Sequence, residues 1–198
     1  IEKYVESYQI WMPGPYYVVT ALHISAANPV ESAAPMDPFL LAVSVKKLVE
    51  EQLADAWDSR IVSYLGDIIV ITQLADEASM TRFTDMMDSV CKAGVTAGIG
   101  HICNELRQLP LSYQGARSAA SYRVLYGNAR AINIAEMDPL ENVDIPWEEP
   151  YIEKILKKIK MGEAEPLGEA IQEFVAQLQS SRMSLQRYRI LIMELITE

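Results

Sequence analysis

Ser59-Arg60-Ile61-Val62-Ser63-Tyr64-Leu65-Gly66-Asp67-Ile68-Ile69-Val70-Ile71-Thr72 decides the fold. Ser59–Leu65 alternates between polar and apolar residues, the signature of a strand with one covered face. Gly66-Asp67 carries turn chemistry. Ile68–Thr72 is apolar and β-branched throughout, as a strand buried on both faces must be. Residues 59–73 are therefore predicted to form a β-hairpin whose second strand lies inside a sheet.

Working outward, Tyr16–Ile24 (YYVVTALHI) is a second run without a polar face and predicts another central strand. Residues 1–10 read as a short helix or a helix end, and residues 26–37 as a loop. Asp37-Pro38 is a helix start, with Asp37 as N-cap and Pro38 at the first helical position, for a mostly apolar helix to about residue 54. Residues 77–93 predict a helix with Met80, Phe83, Met87 and Val90 on one face, stopped by Gly94. Val95–Ile102 predicts a strand. Ser112 is expected to cap a helix running to Tyr126, with Tyr113, Ala116, Ala120 and Val124 inward and Gly127 as the stop. Ala131–Ala135 predicts a last short strand.

The order β-α-β-β-α-β-α-β opens with the split pattern of ferredoxin-like folds. The expected class is α+β, an antiparallel sheet with helices on one face. A Pro-, Asp- and Glu-rich linker runs from Asp138 to Pro150, and beyond it there is no strand signal. Three amphipathic helices are expected there, with stripes Ile152/Ile155/Leu156/Ile159 and Leu167/Ile171/Phe174/Val175/Leu178, Gly162 as an interruption and Ser184 capping the third. This divides the 198 residues into an α+β domain, 1–140, and a helical segment, 141–198.

Half the residues are apolar and 22% are charged, which excludes disordered and collagenous classes. The net charge of -10 repels phosphate backbones and anionic lipid, so no binding of nucleic acid or membrane is expected of this chain. No window approaches a membrane span or a secretory signal. Cys91 and Cys103 are the only cysteines and form no metal motif; two reduced core thiols are expected over a disulfide, which fits a cytoplasmic protein. A chain starting at Ile1 fits an excised fragment or a processed chain of a longer protein.

Gly98-Ile99-Gly100, the stretch Leu109-Pro110-Leu111-Ser112-Tyr113-Gln114-Gly115-Ala116 with Ala119, Ala120 and Tyr122, and the hairpin together resemble a degenerate GGDEF domain. The version is similar to the GGDEF-like middle segment of bacterial AraC-type response regulators. The resemblance implies a receiver domain before this chain and a helix-turn-helix DNA-binding domain after it. True GGDEF domains make cyclic di-GMP with two divalent cations. In the hairpin signature, Leu65-Gly66-Asp67-Ile68-Ile69 stands where Gly-Gly-Asp-Glu-Phe is expected, so Ile68 replaces the catalytic Glu. The first-strand metal ligands would fall near His23 to Ser25, where no carboxylate stands, and the Arg-x-x-Asp product site would span Ala56 to Ser59. No cyclase activity, cofactor or metal is expected.

Asp67 reads first as a turn residue and second as a residual nucleotide contact. His23 and His101 read as structural histidines, and Gly94, Gly98 and Gly100 as close-packing positions. Lys154, Lys157, Lys158 and Lys160 sit among glutamates and read as a solvated mixed face. Tyr16, Tyr17, Trp57, Tyr113 and Tyr122 read as core before pocket lining. The last helix is apolar nearly all round. Tyr188, Leu191, Ile192 and Leu195 are its candidate interface, against a second copy or a neighbouring domain, with burial inside this chain as the other reading. Two functions follow: a regulatory, signal-transmitting module, or a sensor binding a nucleotide or metabolite without turnover. An unrelated enzyme lacks any assembled nucleophile, base or metal cluster.

Overall fold

The computed structural model describes residues 14–24, 38–54, 56–64, 67–92, 94–137, 148–162, 164–181 and 183–197. The expectations for 1–10 and 26–37, the Asp37 cap, Leu65 and Gly66, and most of the 138–150 linker lie outside them. Chain contacts define two compact units, Ile1–Glu136 and Met137–Glu198.

The first unit is built on a five-stranded sheet in the order β2-β3-β1-β4-β5. Its strands are β1 (Tyr16–Ile24), β2 (Ser59–Tyr64), β3 (Asp67–Leu74), β4 (Val95–Ile99) and β5 (Ala131–Asn133). β1 pairs antiparallel with β3 and β4, and β2 with β3, so the two all-apolar runs lie side by side at the centre. β5 adds parallel to β4, which makes the sheet mixed rather than purely antiparallel. The class is α+β, as the order of elements predicts.

Alternation along the strands divides the side chains between two faces. Val18, Leu22, Ile68, Val70 and Leu74 join Val95, Ala97 and Ile99 under Val45, Val49 and Leu53 of α1 (Pro38–Leu53) and Met80, Phe83, Met87 and Val90 of α2 (Ser79–Cys91). Trp57 closes this layer with its ring edge-on to Phe83, centroids 5.7 Å apart. Val19, Ala21 and Ile69 point the other way, against Ala116 of α3 (Leu109–Ser121). Helices thus cover both faces, not one: central strands apolar on both sides need two covers.

Several local expectations change. The α2 helix starts after Asp76, whose carboxylate accepts the Ser79 N–H and hydroxyl hydrogen bonds, each 2.7 Å. Those bonds hold the Asp76 carboxyl below its ordinary range. Gly94, at φ 88°, ends the helix region as predicted. β4 stops at Ile99 and not at 102. A 3-10 turn, Leu106–Gln108, leads into α3, which begins before Ser112 and has Pro110 in its first turn. The helix is interrupted at Tyr122 and followed by the single turn α4 (Arg123–Tyr126); Val124 is exposed rather than inward. β5 ends at Asn133, and α5 (Ile134–Met137) follows.

The second unit holds α6 (Glu148–Met161), α7 (Ala164–Ser180) and α8 (Leu185–Thr197). The α6 helix therefore begins inside the expected linker. Gly162, at φ 70°, separates α6 from α7, and these two pack as a hairpin. Tyr151 stacks at a tilt on Phe174, and Lys154 pairs with Glu173. Ile155, Phe174 and Leu178 are buried, whereas Ile159 and Ile171, expected inward, are exposed. The Ser184 hydroxyl accepts the Arg187 N–H, the predicted cap of α8. Among the described residues, no helix is long and apolar enough to cross a membrane.

Candidate functional site

The strands of the hairpin pair out to Tyr64–Asp67, so Asp67 is the first residue of β3. Its side chain is 28% exposed, and the Arg117 Nε of α3 lies 4.0 Å from its Oδ2. The Arg117 guanidinium sits over the Tyr113 ring, 5.9 Å from its centroid. The Tyr113 ring in turn meets Tyr64 edge-on at 5.8 Å. Four residues from β2, β3 and α3 therefore form one connected cluster at the mouth of the hairpin.

Ile68 and Ile69 follow Asp67 and are both buried. Ile68 belongs to the layer under α1 and α2, and Ile69 to the layer under α3. Neither side chain reaches the mouth, and neither has an atom that binds a cation. On β1, His23 pairs with Thr96 of β4 and is half-buried. Burial and, next, the Arg123 charge hold its imidazole below the ordinary value of 6.5; Asp67 opposes them. The two divalent cations of active GGDEF domains need several carboxylates. Among the described residues this mouth presents one, already facing an arginine, beside a histidine disfavoured as a cation. The donor set does not fit a pair of metal ions. Among the described residues, no three His, Cys, Asp or Glu side chains are grouped to hold one.

The seam between β4 and α3 is built differently. A Cβ on Gly98 would stand 2.0 Å from the Ala116 carbonyl oxygen, and one on Gly100 would stand 1.9 Å from that of Ser112. Only glycine on the strand and small residues on the helix, Ala116, Ala119 and Ala120, allow this approach. Ser112 is 1% exposed. Its hydroxyl donates to the His101 carbonyl at 2.7 Å and accepts the Val19 N–H at 3.0 Å. It is a bond between three elements rather than a helix cap. The Gly98-x-Gly100 and Ser112-Tyr113-x-x-Ala116 motifs thus have a packing role.

The remaining predicted residues are scattered. Trp57 packs on Phe83, Tyr113 on Tyr64 and Tyr122 on Tyr126, so the aromatic set lines no common pocket. At the expected product site, Asp58 pairs with Arg60 at 2.8 Å beside a shallow, open depression lined by Ala54, Ala56, Trp57 and Ser59. His101 is exposed and gives its carbonyl to the seam, with its ring beside Gly115. Cys91 and Cys103 are free and buried; burial pushes the Cys91 thiol up to about 12. On α8, Leu191 is buried and Tyr188, Ile192 and Leu195 are half-buried, whereas Ile190, Met193 and Ile196 are exposed. The expected interface stripe is thus the covered one.

Tyr64 belongs to the hairpin legible in the sequence, whereas Arg117 at the mouth is not foretold by it. The spacing of Tyr113 and Arg117, one helical turn apart, is the signal that places both on the same face.

No curated protein matches the chain. Residues 1–122, which contain the hairpin, the mouth and all of α3, match the model of the GGDEF-like domain. The chain belongs to the GGDEF-like domain family.

Proposed function

We propose that this chain is a non-catalytic regulatory module of a bacterial AraC-type transcription regulator, of the response-regulator kind, that carries state between neighbouring domains and makes no cyclic di-GMP. The observation that carries the reading is the burial of Ile68, at the position of the catalytic Glu, inside the layer under α1 and α2. A carboxylate there would be buried among apolar side chains, at a large desolvation cost. The retained Asp67 faces Arg117 instead of a cation. The test is incubation with GTP and Mg²⁺ or Mn²⁺: GTP is recovered intact, and formation of cyclic di-GMP overturns the reading.

DNA binding belongs, in this proposal, to a helix-turn-helix outside the chain. The net charge of -10 supports that division. A gel shift with the chain alone stays blank at salt concentrations where the whole regulator binds.

One observation supports a second reading, a sensor that binds a small ligand without turnover. The Tyr113 hydroxyl is buried with no hydrogen-bond partner among the described residues, next to Arg117 at the hairpin mouth. A buried unsatisfied hydroxyl is costly, and a polar ligand could satisfy it. Thermal-shift screening with nucleotides and sugars separates the readings: a saturable rise of several degrees, lost in Tyr113→Phe, favours sensing.

A further inference from the structure

The β4–α3 seam leaves part of the sheet open. Gly98 and Gly100 draw α3 onto β4, and the helix lies over β4 and β1. Toward the hairpin, Val62 and Tyr64, which share one side of β2, are 46% and 55% exposed. Tyr113 overhangs this shelf from α3, its ring edge-on to Tyr64.

Two hydrogen-bond donors meet here. The Tyr113 hydroxyl is buried and has no partner among the described residues. The Arg117 guanidinium lies over the Tyr113 ring and, 4.0 Å from Asp67, stops short of a hydrogen bond to it. A phenol and a guanidinium side by side match the two oxygens of a carboxylate, which accepts from both at once. We propose that the hairpin mouth binds a small monocarboxylate with a flat apolar body, the carboxylate between Tyr113 and Arg117 and the body on Val62 and the Tyr64 ring. The proposal rests on the sensor reading of the mouth and names its ligand class.

Charge decides between a monocarboxylate and a polyphosphate. Asp67 offsets Arg117. Arg123 already donates to the Ala120 carbonyl at 3.1 Å, and burial together with that arginine disfavours a charged His23 imidazole. In a chain of net charge -10, a mouth of this balance accepts one negative charge and repels several. A bare inorganic anion has no apolar body to lay on the shelf. Access needs only side-chain rotation: Arg117 and Tyr64, both packed on the Tyr113 ring, are each more than half exposed. Asp67 competes with the ligand for Arg117, so removing its charge favours binding.

Isothermal titration of the whole 198-residue chain with benzoate, free of divalent cations, tests this. Saturable binding is expected, with Kd of about a millimolar or below. Benzamide, the same shape without the charge, and inorganic phosphate should each bind about tenfold weaker or more. Arg117→Gln should weaken benzoate by about tenfold or more and Tyr113→Phe by about fivefold, while Asp67→Asn tightens it by about twofold to fivefold. Circular dichroism confirms that each variant is folded, and the tightening in Asp67→Asn is a sign that a merely structural role would not produce. Benzoate that does not saturate into the tens of millimolar overturns the proposal. So does benzamide binding as well as benzoate, phosphate binding more tightly, or affinity indifferent to Arg117→Gln. Saturable binding of a nucleotide or sugar alone, lost in Tyr113→Phe, overturns the carboxylate and upholds the sensor reading. Binding of none of these overturns both.

Discussion

The hairpin mouth and the β4–α3 seam lie in the same unit, with β1 between β3 and β4, yet they have met opposite demands. At the seam, Gly98 and Gly100 leave no room for a methyl group, and Ser112 satisfies a backbone donor and a backbone acceptor at once. At the mouth, the signature positions hold Asp67, Ile68 and Ile69, of which only Asp67 reaches partial solvent, facing Arg117. Among the described residues, nothing at the mouth assembles the carboxylates that phosphoryl transfer with metal ions needs. Packing and chemistry are separable parts of a family's pattern: a domain can keep the residues that let a helix lie on its sheet and still lack those that hold a metal.

The contrast breaks first at the seam. Gly100→Ala or Gly98→Ala forces α3 away from the sheet, and the expected loss is about 3 kcal/mol or more, a fall of roughly 10 °C in Tm read by calorimetry or circular dichroism. If alanine is accepted at both glycines with an unchanged midpoint, the close approach is not what those residues serve. Ser112→Ala comes next. It leaves the buried Val19 N–H without its acceptor, for a loss of about 1–3 kcal/mol in urea unfolding, with faster amide exchange at Val19.

A smaller effect belongs to His23. Burial and Arg123 hold its folded value below 6.5, so the unfolded chain binds the proton more readily. The stability it contributes is complete above the unfolded value near 6.5 and is lost as pH falls through the lower folded value. Stability should therefore decline on acidification below about 6.5, and His23→Gln should flatten that part of the curve. An unchanged curve in the variant would assign the decline to other groups. The smallest effect is at the mouth: Asp67→Asn should change stability by less than about 0.5 kcal/mol, because the pair with Arg117 is long and partly solvated.

The same contrast governs how much could be read from residues alone. β1 and β3 were legible because apolar residues dominate both faces of each run, and α2 because Met80, Phe83, Met87 and Val90 repeat at helical spacing. The second cover on the sheet was not, since local periodicity says that a strand is buried and not which helix buries it. Ser112 read as a cap because its partner Val19 is 93 positions away, beyond any local pattern. The Asp67–Arg117 pair was hidden for the same reason. On α8 the sequence shows two apolar stripes, and only the folded chain shows that Leu191 is covered and Met193 is not. The lack of a carboxylate at 23 and 68 is legible at once, because the identity of a residue needs no tertiary information.

The most direct test of the central claim is product analysis after incubating the chain with GTP and Mg²⁺ or Mn²⁺. If Ile68 and His23 stand where metal-holding groups are required, the nucleotide is recovered unchanged with either cation. Cyclic di-GMP accumulating in proportion to protein concentration would contradict the account.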